Sequence, residues 1–307
     1  MSVSRTTRWK NEKENNYEKN IDSLMDYKSI KEQNEGKKSY YQNFKVNKLF
    51  ENTKEIELAN ENTKFDFFEV EYEKVREGTD PIEERTDKMR FELLVYNNKG
   101  TTKYIINRSS EAMYFIRKLL KYKGQREISD LKVKVDSDFF LWLIYKIYKE
   151  DNIFKVTYGK DENDIALTNI KFLKGISIDN NNVTSQGNTV LNLISTLSFV
   201  LEKGKIKQLV LCVSYGEHEN IEIRLETNGA IGIGDIKEYD GIFEKDEINL
   251  RQSKVLLLIY NEILPMITDY YNTDIKDKKW DSKTKVAFLQ EIKEEITDRI
   301  EQMKNTL

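Results

Sequence analysis

One cysteine and one histidine, Cys212 and His218, are all that 307 residues offer for cross-linking through sulfur or a soft metal. No internal disulfide can form, and the Cys/His sets that zinc prefers cannot be assembled. Whatever this chain folds into must therefore be held by packing. Its hydrophobic fraction is modest, 38% against 34% charged residues, but 17 tyrosines and 14 phenylalanines supply broad apolar faces for a core. Single cores stop growing at roughly 250 to 300 residues, so two units and a tail are expected.

The periodicities predict an α+β protein with mixed or antiparallel sheets, β-hairpins and packed helices. Residues 1–60 carry few apolar positions, and Ile21, Leu24, Met25 and Ile30 make only a short helical stripe. They read as a mobile, basic N-terminal arm. A first α+β domain is expected over 61–152. It opens on the alternating run FDFFEVEYEKV from Phe65, and a hairpin then turns at Asn97-Asn98-Lys99-Gly100. A helix capped by Ser109 or Ser110 follows, with the stripe Met113, Phe115, Ile116, Leu119 and Leu120 and a stop at Gly124. After a short strand at Leu131–Val135, Asp136 can cap a helix whose run FFLWLIYKIY is apolar almost all round.

A second α+β domain is expected over 153–307. Its strands are read at Phe154–Tyr158, Ile165–Ile178, Ile206–Tyr215, Ile221–Glu226 and Ala230–Ile236, with Asn228-Gly229 as the clearest hairpin turn and a helix at Gly187–Lys203. Two C-terminal helices close the chain, roughly Glu247–Tyr271, kinked or divided at Pro265, and Ser282–Lys304. In the last, Val286, Leu289, Ile292, Ile296, Ile300 and Met303 form one narrow stripe. It suits packing on its own domain or a dimer seam.

No apolar stretch approaches the roughly 20 residues needed to cross a bilayer, and the polar N-terminus lacks a signal-peptide core. A cytoplasmic protein without membrane contact is expected. Abundant Lys, Asn, Ile and Glu with two prolines suit an AT-rich bacterial or phage-type genome.

The net charge is only -3, so attraction to a polyanion must come from local segregation. Residues 1–50 are basic through Arg5, Arg8, Lys10, Lys13, Lys37 and Lys38; 51–87 are acidic, 99–134 basic and 217–247 acidic. In the third block Lys99, Lys103, Arg108, Arg117, Lys118, Lys121, Lys123 and Arg126, with Lys132 and Lys134, are interleaved with Tyr104, Tyr114 and Tyr122. That composition suits phosphate contacts with some base stacking. The alternative is a solvated face balanced by the acidic block.

Several chemistries lack their residues. His218 lies in the turn Gly216-Glu217-His218-Glu219-Asn220 and reads as exposed, without a role in a triad. Gly229, Gly232 and Gly234 do not form a dinucleotide fingerprint, and no glycine-lysine phosphate loop exists. Cys212, in LVLCVSY, reads as a buried strand thiol.

One constellation remains. In AIGIGDIKEY a strand would aim Asp235 and Lys237 to the same side, beside Glu222 and Glu226 of the preceding strand, with Gln252 and Tyr260 in the next helix. Locally, over 222–260, this resembles the PD-(D/E)xK nuclease superfamily. The resemblance implies magnesium or manganese on Glu222 and Asp235, Glu226 as the other candidate carboxylate, Lys237 orienting the attacking water and Gln252 positioning the site. It departs from the family in placing a glutamate where an aspartate is expected and in its short Asn-Gly hairpin.

The leading expectation is a binding protein without a resident cofactor. It would contact nucleic acid or an acidic partner protein through the basic surface, perform no catalysis, and act in an oligomer or a bacterial or phage multi-protein system such as antiviral defence. A metal-dependent nuclease and a non-catalytic assembly subunit are the alternatives.

Overall fold

A computed structural model describes residues 5–27, 39–58, 61–108, 110–124, 126–155, 164–202 and 204–306. The chain is α+β, and its compact units divide between Lys132 and Val133. The boundary expected at 152/153 thus falls earlier, because the apolar helix following Asp136 belongs with the C-terminal unit.

The N-terminal unit begins with β1 (Arg5–Asn11), α1 (Tyr17–Met25), β2 (Tyr40–Lys48), β3 (Lys54–Leu58) and β4 (Glu61–Val75). It continues through β5 (Thr86–Asn98), β6 (Thr101–Ile106), α2 (Ala112–Leu119) and β7 (Ile128–Asp130). Its antiparallel sheet runs β7-β1-β6-β5-β4, with β2 and β3 on successive stretches of β4. One face carries Trp9, Phe68, Val70, Tyr72, Phe91, Leu93, Val95, Tyr104 and Ile106, and α1 and α2 pack on it. Phe44, Tyr72, Phe91 and Phe115 form an aromatic lattice with centroids 5.0 to 6.1 Å apart. Such edge and offset contacts add about 0.5–1.5 kcal/mol per pair beyond area burial.

The expected N-terminal arm is in fact part of this sheet. Thr7–Lys10 pair with β6, and Trp9–Asn11 with β7. Its inward positions are largely polar, which is why hydropathy gives no strand signal there. Asn11, 0% exposed, donates to Asn20 at 2.7 Å, Tyr104 at 3.0 Å and Tyr122 at 2.9 Å. Asn16 caps α1 by accepting from the Lys19 amide at 2.9 Å. Ile30, Lys37 and Lys38 lie outside the described residues.

In the same unit α2 starts later than expected. Glu111, in the left-handed region at φ 64°, precedes it, Ser110 lies outside it and Ser109 is not among the described residues. It ends at Leu119 rather than Gly124, with Lys121 at φ 55° closing the turn.

The C-terminal unit comprises α3 (Ser137–Tyr148), β8 (Ile153–Phe154), β9 (Ile165–Ile176), β10 (Asn182–Gln186), α4 (Ile194–Leu201) and β11 (Lys205–Tyr215). There follow β12 (His218–Glu226), β13 (Ile231–Ile233), β14 (Asp240–Gly241), α5 (Ile248–Leu258), α6 (Leu264–Lys276) and α7 (Ser282–Lys304). The antiparallel sheet runs β10-β9-β11-β12-β13, with β8 on β9 and β14 on β12. Asp136 accepts from the Phe139 amide at 2.8 Å to start α3, whose Trp142 stacks on Phe154 at 5.6 Å and donates to Asp274 at 3.0 Å. Pro265 falls in the first turn of α6, and a π-turn at Ile259–Ile263 separates α6 from α5. Phe288 and Ile292 of α7 are buried, while Val286, Ile300 and Met303 remain exposed.

The segment expected as the strand Leu131–Val135 has no regular structure, and the helix expected at 187–203 is regular only over Ile194–Leu201. Among the described residues no helix is long and apolar enough to cross a membrane.

Candidate functional site

The nuclease-like constellation does not assemble. β13 ends at Ile233, so Asp235-Ile236-Lys237 is a turn and not strand, and the alternation that would have aligned Asp235 with Lys237 is absent. The turn is held locally. Asp235 accepts the Lys237 amide on its side chain at 3.1 Å and the Glu238 amide on its carbonyl at 2.9 Å, and both charged side chains are exposed. Glu222 lies across Gly234, where a Cβ would sit 2.4 Å from its own, and is ion-paired with Lys171. Glu226 is buried beside the Asn228-Gly229 turn, where Asn228 donates to it at 3.3 Å.

Glu222 and Asp235 share a pocket with Val255 of α5, but its volume of about 10 Å³ holds a single water at most. Tyr260 is buried in the π-turn and Gln252 half-buried in α5. A magnesium ion requires near-octahedral oxygen ligands at about 2.0–2.1 Å. With Glu222 held by a lysine and Asp235 by its own turn, these residues do not fit that demand. Among the described residues no three His, Cys, Asp or Glu side chains gather where a metal could be held.

Cys212 is the buried strand thiol expected, opposite Glu222 in the β11/β12 ladder, and burial pushes its thiol up. His218 contradicts its expectation of exposure. It opens β12, is 7% exposed, and lies against Tyr215 and Phe243 with ring centroids at 6.5 and 4.8 Å. Its Nδ1 is 2.5 Å from the Tyr239 hydroxyl, which also accepts the Phe243 amide at 3.3 Å. Burial pushes His218 down to about 4.

The basic block 99–134 is split between the two faces of the N-terminal sheet. On the helical layer most of its cations are engaged within the unit. Arg117 is 3.8 Å from Glu127, and Lys118 lies over the Phe44 and Tyr114 rings at 5.0 and 5.6 Å. Lys121 reaches the Asp26 carbonyl at 3.4 Å. Arg108 donates to the Arg90 carbonyl at 2.6 Å and the Tyr72 hydroxyl at 3.3 Å. Lys123 and Arg126 are exposed in the loop after α2.

Lys99 and Lys103 belong to the other face. Alternation along β1 and β6 turns Trp9 and Tyr104 into the core under α1 and α2, so Arg8, Lys10 and Lys103 share the opposite side. In the ladder Lys10 stands directly opposite Lys103, and Arg8 opposite Ile105. The hairpin turn places Lys99 and Gly100 at φ 53° and 68°, the two successive positive values of a type I′ turn. Lys99 therefore sits at the tip, close enough that burial, Arg8, Lys99 and Lys10 together push the half-buried Lys103 down to about 8. Lys103 donates to Asn98 at 2.7 Å, and Lys10 pairs with Glu12 at 2.8 Å.

Sequence reasoning allows the basic N-terminal segment to extend the 99–134 surface, but it missed the strand pairing that sets Lys10 opposite Lys103, because it read that segment as a mobile arm. The only sequence signal was the alternation Arg8-Trp9-Lys10. No protein-family model matches this chain, and no curated protein is significantly similar to it.

Proposed function

We propose that the N-terminal unit is a binding module for nucleic acid, holding backbone phosphates on Arg8, Lys10, Lys99 and Lys103. The observation that carries the reading is the direct opposition of Lys10 and Lys103 in the β1/β6 ladder, with two more cations beside them. Like charges directly opposite in a sheet are destabilising, and half-burial of one adds to the cost. A phosphate bridging the pair offsets the repulsion that the Lys10–Glu12 ion pair leaves, and the ammonium groups donate to its oxygens.

The test is fluorescence anisotropy with single- and double-stranded DNA and RNA over a salt series. Neutralising Z phosphates gives a log–log salt slope of about -0.7Z for single strands and -0.9Z for duplex, so four cations predict roughly -3 to -4. The Lys10→Glu/Lys99→Glu double variant is expected to abolish binding, while Lys123→Glu/Arg126→Glu changes it little. A flat salt response, or the reverse ranking of the two variants, overturns the proposal. Binding of an acidic protein but of no nucleic acid assigns the surface to a protein partner instead.

A further inference from the structure

An open pocket of about 400 Å³ lies at the other side of the same hairpin, lined by Asn15, Asn16 and Glu18 from the start of α1, Asn62 and Lys64 from β4, and Asn97 from β5. This volume falls in the range of small-ligand sites, and apart from Tyr17 and Gly100 the residues that line it are polar. Among the described residues the side-chain amides of Asn15 and Asn97 take part in no hydrogen bond. Asn16 spends its oxygen on the Lys19 amide and keeps its amino group, while Asn62 donates to Glu55 at 2.6 Å and keeps its oxygen. Donors and acceptors therefore converge in one place, a pattern that matches the edge of a heterocyclic base. The helix end is not the recognition element, since Asn16 already caps it. Nor is the pocket an anion site, because Glu18 sits 3.8 Å from Lys64 at its rim.

Consecutive residues link this pocket to the cations. Asn97 lines the pocket, whereas Asn98, one step of about 3.4 Å along β5, points to the opposite face and accepts from Lys103. We infer that the pocket takes an unpaired base of a strand whose phosphates cross the hairpin at Lys99, so that the ligand is single-stranded nucleic acid. The inference rests on the phosphate-binding reading of Arg8, Lys10, Lys99 and Lys103, and it deepens that reading. A duplex cannot use the pocket, because its Watson–Crick edges are paired and its bases are stacked inside the helix.

The experiment compares three probes of equal length by anisotropy: a mixed-sequence single-stranded oligonucleotide, the same phosphodiester chain made abasic, and the duplex. Wild type is expected to bind the base-containing single strand at least tenfold more tightly than the abasic strand. Asn15→Ala/Asn97→Ala should bring the two to equal affinity while leaving the abasic affinity unchanged. Equal binding of both strands by the wild type overturns the base pocket and leaves the phosphate surface standing. Loss of affinity for both strands in the double variant also overturns it, since the asparagines then act through the fold. Binding of neither strand at low salt removes the phosphate reading and the pocket together.

Discussion

Acidification should unload the C-terminal unit through one side chain, and the chain's single histidine makes the effect easy to isolate. His218 is buried against Tyr215 and Phe243, and its ring is held neutral down to about 4, against an ordinary value of 6.5. The sign follows from linkage. Between those two values the unfolded chain binds a proton that the folded chain refuses, so stability is whole above the unfolded value and is lost as pH falls toward the folded one. Each such pH unit costs about 1.4 kcal/mol, which over the whole window amounts to about 3 kcal/mol. For a protein of ordinary stability, roughly 5–15 kcal/mol, that loss is large.

The assay is urea unfolding of wild type and His218→Gln at pH values from 7.5 to 4.5. The variant stays neutral throughout and subtracts the contribution of every carboxylate. Wild type should lose stability relative to the variant by about 1.4 kcal/mol per pH unit below 6. In parallel, the only imidazole resonance in the NMR spectrum should titrate near 4. Parallel stability curves, or a midpoint near 6.5, would refute the argument that burial keeps this ring neutral.

Other expectations follow from single contacts. Asp66, 0% exposed, receives Tyr17 and Thr53 hydroxyls at 2.8 Å each and pairs with Lys48 at 3.0 Å, so Asp66→Asn should cost about 3 kcal/mol or more in urea unfolding. A Cβ at Gly175 would sit 2.3 Å from the Phe199 ring and 2.8 Å from the Lys205 carbonyl, so Gly175→Ala should lose about 1–3 kcal/mol by the same measurement. If the proposed phosphate surface binds nucleic acid, its affinity should weaken as pH rises through about 8, where burial and the neighbouring cations place Lys103, and Lys103→Gln should flatten the anisotropy–pH profile. Lys237→Ala, at an exposed turn, should change stability by less than about 0.5 kcal/mol in urea unfolding.

Much of the architecture could be read from local chemistry. The Asn228-Gly229 and Asn97–Gly100 turns fall where their residues demand positive φ, and in the first of them Gly229 sits at φ 81°. Asp136 caps α3 as its position before the apolar run requires, and in β4 the buried Phe68, Val70 and Tyr72 alternate with Glu69, Glu71 and Glu73 at the strand period. These features depend on a few neighbouring residues, so the sequence by itself determined them.

Tertiary structure decided the rest. β1 escaped notice because two of its inward positions beside Trp9, namely Thr7 and Asn11, are satisfied by hydrogen bonds across the fold and contribute no hydropathy signal. Asp235 and Lys237 were aligned on the assumption that their strand continued, whereas pairing with β12 ends at Ile233 and a side-chain-capped turn takes over. His218 is buried because Tyr239 and Phe243 fold back over the β11/β12 turn from some 20 residues away. The cation cluster is the clearest case. Nothing local connects Lys10 to Lys103, and only the β1/β6 register, set by which side chains the core accepts, brings two like charges face to face.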